Sequence, residues 1–82
     1  MGGKMPYYSL QVRDGEDADF NDLKGMYPDG RPADYAKGRM LYVHRPFDIA
    51  TLKRNIAGLG ENGSWIEVKR ITKREFEWKK HQ

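Results

Sequence analysis

The middle of the chain predicts an amphipathic helix between two strands, and this pattern constrains the fold more than any other stretch. Apolar residues recur in it at intervals of three, four and three: Ile49, Leu52, Ile56 and Leu59. They share one stripe of a helix, and that stripe must be buried. Asp48, just before it, is a favourable N-cap residue. Strand-like residues lie on both sides, so the predicted order is strand 39–44, helix 46–59 and strand 64–71.

The length of the chain limits how much structure can be added to this centre. Its 82 residues suffice for one domain with a small apolar core. Residues 1–5 and 80–82 are expected to be mobile ends. The sequence has no cysteine and no apolar run long enough for a signal peptide or a membrane span, so we expect a cytoplasmic protein.

The N-terminal part predicts a strand and then a short helix. Three apolar residues alternate with polar ones, as in a strand with one buried face: Tyr8, Leu10 and Val12. Tyr7 is then expected on the outer face. Three more residues have helical spacing and are expected to face the core: Phe20, Leu23 and Met26. The acidic residues between 14 and 22 suit the positive end of that helix, and their spacing does not fit a calcium-binding loop.

Residues 27–38 predict an exposed loop, because Gly30 and Pro32 are typical of turns and interrupt any strand. Long loops often carry contacts, so this segment is either a plain connector or part of a binding surface. In the strand that follows, Leu41 and Val43 are expected to face the core. Apolar residues on both of its faces indicate an interior strand.

The C-terminal segment fits two secondary structures. Thr72 and Glu75 form a capping box, and Ile71 and Phe76 form a hydrophobic staple, so both pairs favour a helix start. Phe76 and Trp78 also alternate with charged residues, as in a strand. We favour the helix because two separate start signals coincide there.

Together these elements predict a small α+β domain. It has a sheet of about three strands, the central helix packed on one face, and a short C-terminal helix. The order of the strands stays open. If the strand over residues 7–13 lies at an edge, its single charge protects it poorly, and a homodimer through that edge is expected.

Catalysis has little support in the sequence. Of the two histidines, His44 precedes an arginine and a proline, and His81 lies at the terminus, without a nucleophile in a recognisable arrangement. Gly58 and Gly60 follow a helix, whereas phosphate-binding glycines precede one. We expect a protein that is not an enzyme and that uses no cofactor and no metal.

The first functional hypothesis is a non-catalytic protein that binds a larger protein partner, as an inhibitor or an adaptor. It depends on aromatic and arginine residues outside the predicted core, which are the types enriched at interfaces. These candidate partner-binding residues are Tyr7, Tyr27, Arg31, Tyr35, Arg45 and Trp65. In size and composition the chain also resembles the compact proteins that phages and mobile elements encode, which implies binding rather than catalysis.

The alternative is nucleic-acid binding through the basic C-terminal segment. Residues 69–82 hold six lysines and arginines against two glutamates, a net charge of +4. Basic side chains can follow a phosphate backbone while a tryptophan stacks on bases. The candidate nucleic-acid-binding residues are Lys53, Arg54, Lys69, Arg70, Lys73, Arg74, Trp78, Lys79 and Lys80.

Overall fold

The chain folds as an α+β domain, as the sequence predicts. The structure is a computed structural model that describes residues 5–26, 30–58 and 64–82. Across these residues it has four strands and three helices, in the order β1 (Tyr7–Val12), α1 (Asp17–Met26), β2 (Tyr35–Lys37), β3 (Met40–His44), α2 (Ile49–Ala57), β4 (Ile66–Ile71) and α3 (Lys73–Lys80). The sheet has one strand more than expected, and that strand is β2.

The strands form one antiparallel sheet in the order β2-β3-β1-β4. Because β3 and β4 are each antiparallel to β1, they run parallel to one another with β1 between them. They flank α2 in the chain, yet they are not neighbours in the sheet. The dimer contact that the sequence suggested for β1 is wrong, because β1 is paired along both of its sides.

The first face of the sheet, which carries Tyr8, Leu10 and Val12, holds the main core. These side chains are at most 2% exposed. The core cluster on this face comprises Tyr8, Leu10, Val12, Leu41, Val43, Leu52, Ile56 and Ile66. Burying each such side chain contributes about 1.5–3 kcal/mol, so this cluster is the main source of stability. The inward directions predicted for β1, for β3 and for Ile49, Leu52 and Ile56 of α2 are confirmed, and Leu59 of the predicted stripe lies outside the described residues.

Helix α1 also packs on the first face. Phe20 and Leu23 are half-buried against the core, as predicted. Met26 was expected to face the core too, but it is 56% exposed. It is the last residue of α1.

The start of α2 is fixed by the residues that the sequence indicated. The Asp48 carboxylate accepts a hydrogen bond from the backbone N–H of Thr51 at 2.8 Å. Hydrogen bonding with the Thr51 side chain, and to a smaller extent with this backbone N–H, lowers the pKa of Asp48. Phe47, just before the cap, packs against the main core. Its carbonyl accepts a hydrogen bond from the Tyr8 hydroxyl at 2.6 Å, which joins the entry of α2 to the centre of the sheet.

Residues 73–80 are helical, which confirms the choice of helix over strand. The Thr72 hydroxyl accepts from the backbone N–H of Glu75 at 3.0 Å, the N-cap bond of the predicted capping box. Ile71 and Phe76 are both buried, in a second cluster with Tyr42. This cluster lies on the second face of the sheet, which carries Tyr7, Tyr42 and Ile71. The two faces are therefore covered by different helices.

The predicted loop over residues 27–38 is only partly a loop. Residues 35–37 form β2, which pairs with β3 so that Tyr35 lies opposite Tyr42. Gly38 has a φ of +58° in the turn between the two strands, a conformation that favours glycine. Residues 27–29, including the candidate Tyr27, lie outside the described residues.

Candidate functional site

Tyr7 and Tyr35, two of the candidate partner-binding residues, belong to an aromatic cluster on the second face. The Tyr7 ring stacks on His44 with ring centroids 3.9 Å apart, and Tyr35 stacks on Tyr42 at 4.6 Å. Phe76 of α3 lies between them, 4.9 Å from Tyr7 and 5.2 Å from Tyr35. Both tyrosines are half-buried, so much of their surface is already used within the fold.

The Tyr35 hydroxyl joins β2 to α3. It donates a hydrogen bond to the carbonyl oxygen of Phe76 at 2.6 Å. Burial, with a smaller effect of the neighbouring Tyr42, raises the pKa of Tyr35 to about 12. Only the neutral hydroxyl can donate this bond, so the bond, like the burial, favours the protonated form of Tyr35.

Arg45 was expected at the surface, and this expectation is wrong. Its side chain is only 3% exposed and donates to the Asp34 carboxylate at 2.9 Å. Further bonds reach the carbonyl oxygens of Pro32 at 2.7 Å and His44 at 3.1 Å. These acceptors allow the charged group to be buried. Arg45 therefore fixes the 32–34 segment beside β3 and does not present its charge to a partner.

The remaining candidate partner-binding residues do not form one surface with the aromatic cluster. Trp65 is half-buried and lies against the turn after β1, where a Cβ on Gly15 would come within 2.7 Å of its ring. Gly15 also has a φ of +89°, so this turn needs glycine both for its backbone and for the ring above it. Arg31 is exposed, in the segment that leads to β2.

The outward side of α3 presents a tryptophan to solvent. Trp78 is 60% exposed, the largest exposed fraction among the large hydrophobic residues that the structure describes. Because residues two apart on a helix point about 200° away from each other, the burial of Phe76 directs Trp78 outward. A groove of about 360 Å³ lies beside it, and we call it the Trp78 groove; it is lined by Thr72, Arg74, Glu75 and Trp78.

The candidate nucleic-acid-binding residues fall into two groups on opposite sides of the sheet. One group lies on or next to the second face, on α3 and on β4: Lys69, Lys73, Arg74, Trp78, Lys79 and Lys80. The other lies on the first-face side: Lys53 and Arg54 on α2, and Arg70, which shares its face with Tyr8. The structure therefore does not bring all nine residues to one surface. The Lys79 ammonium lies 5.4 Å from the centroid of the Trp78 ring, so these two neighbours already interact.

A second groove, of about 320 Å³, lies on the part of the second face that the aromatic cluster leaves open. Arg13 and Glu67 form an ion pair across it, and this pair lowers the pKa of Glu67. Lys69 lies beside them on β4. The groove is polar, and its charged groups are largely exposed.

Two other findings concern the part of the chain that the structure describes. Residues 5–26, 30–58 and 64–82 contain no group of three histidine, aspartate or glutamate residues placed to hold a metal ion. None of the helices in those ranges is both long and apolar enough to pass through a membrane.

Comparison with known proteins found no similarity at a significant level. The chain matches no protein-family model, no curated protein and no solved structure.

Proposed function

We propose that the protein is a non-catalytic binding protein that contacts a larger protein partner through the Trp78 groove. The observation that carries this proposal is the exposure of Trp78, at 60%, on a helix whose other side is anchored in the aromatic cluster. Exposing a large apolar ring to water is unfavourable, and a partner that covers the ring removes this surface from solvent.

The neighbours of Trp78 suit a protein partner. Tryptophan and arginine are over-represented among the residues that contribute most to binding at protein interfaces. Arg74 lies one helical turn before Trp78, and Glu75 lines the same groove, so the indole is surrounded by polar groups of both charges. An apolar centre with a polar rim is the usual anatomy of an interface.

This mode of action fits an inhibitor or an adaptor, since either role needs only a surface that occupies part of a larger protein. The absence of cysteine from the sequence supports a place in a reducing compartment such as the cytoplasm.

The direct test compares two matched variants. Trp78→Ala removes the exposed ring on α3, and Met26→Ala removes an exposed apolar side chain, 56% exposed, on α1. Proteins captured by the parent are identified, and each is then purified and titrated by calorimetry. For the true partner, Trp78→Ala should weaken binding by about 30-fold or more, the effect of losing a central interface residue, while Met26→Ala binds as the parent. A partner that binds Trp78→Ala as tightly as the parent would refute the proposal.

The second candidate function is binding to single-stranded nucleic acid through the same helix. The observation in its favour is that Lys69, Lys73, Arg74 and Lys80 are all exposed around the C-terminal helix. Trp78 would then stack on a base while the basic side chains contact phosphates.

Salt dependence distinguishes the two functions. Fluorescence anisotropy with a labelled single-stranded oligonucleotide is measured at two salt concentrations, for the parent and for Arg74→Ala. Phosphate contacts require an affinity that falls steeply with salt, with a slope that decreases by about 0.7 when one contact is removed. The protein-binding proposal expects no affinity for the oligonucleotide even at low salt.

A further inference from the structure

The edge strand β4 has a row of backbone hydrogen-bonding groups on its outer side, and their positions can be derived. The backbone N–H of Arg13 donates to the carbonyl of Trp65 at 2.6 Å, which marks the pair 13/65 as hydrogen-bonded. Because such pairs alternate in an antiparallel ladder, Glu67, Lys69 and Ile71 also bond to β1. On β4, the intervening residues direct their backbone N–H and C=O groups away from the sheet: Ile66, Val68 and Arg70.

The pairing on the other side of β1 agrees with this assignment. The backbone N–H of Val12 donates to the carbonyl of Arg39 at 2.9 Å, so Val12, Leu10 and Tyr8 direct their backbone groups toward β3. Their neighbours in β1 must then bond to β4, as derived above. Within the sheet formed by the described residues, β4 has no strand on its outer side.

We propose that the protein forms a two-fold symmetric homodimer in which β4 pairs antiparallel with β4 of a second copy, with Val68 facing Val68 across the axis. The two four-stranded sheets would then continue as one. In this register Ile66 exchanges backbone hydrogen bonds with Arg70 of the second copy, and Val68 does so with Val68. Every outward backbone group of β4 from Ile66 to Arg70 finds a partner.

The charges of β4 select this register over its neighbours. With Val68 on the axis, Glu67 lies opposite Lys69 of the second copy, and Lys69 lies opposite Glu67. A slip of two residues in one direction would place Glu67 against Glu67, and in the other direction Lys69 against Lys69. These are non-hydrogen-bonded pairs, whose side chains are closest, so like charges there are directly unfavourable. The sequence of β4 is self-complementary only in the centred register.

The two apolar residues on the first-face side of β4 fit the same arrangement, and Arg70 on that side lies opposite Ile66 of the second copy. Ile66 is buried and Val68 is half-buried on the first face. In the dimer, Val68 would pack against Val68 of the second copy and extend the main core across the interface. Charged side chains on an edge strand more often discourage pairing. The alternation of opposite signs two residues apart is what makes this edge complementary to itself.

This dimer is independent of the proposed protein partner, since Trp78 lies on α3. It would place two copies of the Trp78 groove in one particle, so that a partner with two sites could bind both.

Two charge variants test the register. In Glu67→Lys, lysines face Lys69 of the second copy, and in Lys69→Glu, glutamates face Glu67. Glu67→Lys also removes the ion pair with Arg13 of the same chain, whereas Lys69→Glu leaves it intact. Each variant alone should dimerise at least about tenfold more weakly than the parent, because two symmetric pairs change from attractive to repulsive. Mixed in equal amounts, the two variants should form a heterodimer, because both lysines of one then face both glutamates of the other. Sedimentation across micromolar to millimolar concentrations measures the homodimers, and capture with a tag on one variant measures the heterodimer.

The control is Lys24→Glu, which makes the same charge change on α1, at the opposite side of the molecule. The carbonyl of Lys24 accepts from the N–H of Ala33, so this residue lies toward β2 and away from β4. Lys24→Glu should dimerise as the parent does. A parent that sediments at 9.6 kDa at every concentration would overturn the proposal. So would single variants that dimerise as well as the parent, or a mixture that forms no heterodimer.

Discussion

The two faces of the sheet are closed in different ways. The first face is closed by aliphatic side chains under two helices, with Leu10, Leu41 and Leu52 at most 1% exposed. The second is closed over only part of its area, by the eight-residue helix α3 through Phe76 and the Tyr35 hydrogen bond. The first face therefore stabilises the fold mainly through the apolar surface that it buries. The second face stabilises it through a few specific contacts, namely the packing of Phe76 and the Tyr35 hydrogen bond. We expect α3 to be less firmly held than the rest of the fold.

The largest effect is expected for a cavity under α2. Leu52 is fully buried on the first face, so Leu52→Ala should lower the free energy of unfolding by about 2–5 kcal/mol. That is most of the stability of so small a domain. Lys53→Ala, at the next position and exposed, should change it by less than about 0.5 kcal/mol. Urea unfolding followed by circular dichroism compares them, and equal midpoints would mean that α2 does not close this face.

A smaller effect is expected on the second face. Phe76 is 5% exposed, but its removal releases one short helix and leaves the main core intact. Phe76→Ala should cost about 1–3 kcal/mol, below the usual range for a buried phenylalanine, because α3 can detach alone. Thermal melts should then show loss of helical signal before the sheet unfolds. A single transition with a cost equal to that of Leu52→Ala would remove the distinction between the two faces.

The Tyr35 hydrogen bond gives the second face a dependence on alkaline pH. Tyr35→Phe should cost about 0.5–1.5 kcal/mol at neutral pH, the value of one hydrogen bond. The pKa of Tyr35 is about 12 in the folded chain, above its ordinary value of 10.0. The stabilisation of the neutral hydroxyl is thus fully present below pH 10 and is lost as the pH rises toward 12.

The difference between parent and Tyr35→Phe should therefore shrink over this range. Tyr8, whose pKa burial also raises, stays in both proteins and cancels in the comparison. Chemical denaturation at a series of alkaline pH values measures the difference. A constant gap between the two proteins would show that Tyr35 does not titrate differently in the folded chain.

The smallest effect on stability is expected for Trp78→Ala. The ring is 60% exposed and is not part of the buried cluster on the second face, so the free energy of unfolding should change by less than about 0.5 kcal/mol. The comparison of Trp78→Ala with Phe76→Ala distinguishes Phe76, which holds α3 on the sheet, from Trp78, which faces outward. A loss comparable to that of Phe76→Ala in the same melt would mean that Trp78 packs against the fold.

The first face could be predicted from the sequence because its signals are local and periodic. The alternation of Tyr8, Leu10 and Val12 and the helical spacing of Leu52 and Ile56 each specify a buried side without reference to distant residues. The starts of α2 and α3 are also local, because each N-cap side chain bonds a backbone N–H three residues later.

The second face could not be predicted in the same way, because its contacts join distant parts of the chain. Tyr35 and Phe76 are 41 residues apart. Outside this face, the burial of Arg45 likewise depends on a tertiary contact, with the carboxylate of Asp34. Taken alone, an aromatic or an arginine in a segment with glycine and proline is typical of an exposed loop. Strand β2 was missed for the same reason, since its three residues are a strand only through pairing with β3.

For the candidate site, the sequence identified residue types better than locations. Trp78 was indicated as a nucleic-acid-binding residue and not as a partner-binding one, although its place two residues after Phe76 already implies an outward direction once α3 is a helix. Lys53 and Arg54 were grouped with the C-terminal basic residues because all are charged. The sheet separates Lys53 and Arg54 from the C-terminal basic residues because α2 packs on the first face. The charge pattern of the sequence gives no information on that packing.

Native-state hydrogen exchange in increasing denaturant tests most directly whether the two faces differ in stability. We expect the amides of β1, β3 and the middle of α2 to exchange only through global unfolding. The amides of α3 should exchange through a local opening of lower free energy that depends little on denaturant. If the α3 amides instead showed the same free energy and the same denaturant dependence as those of β1, the two faces would unfold as one unit, which would contradict this account.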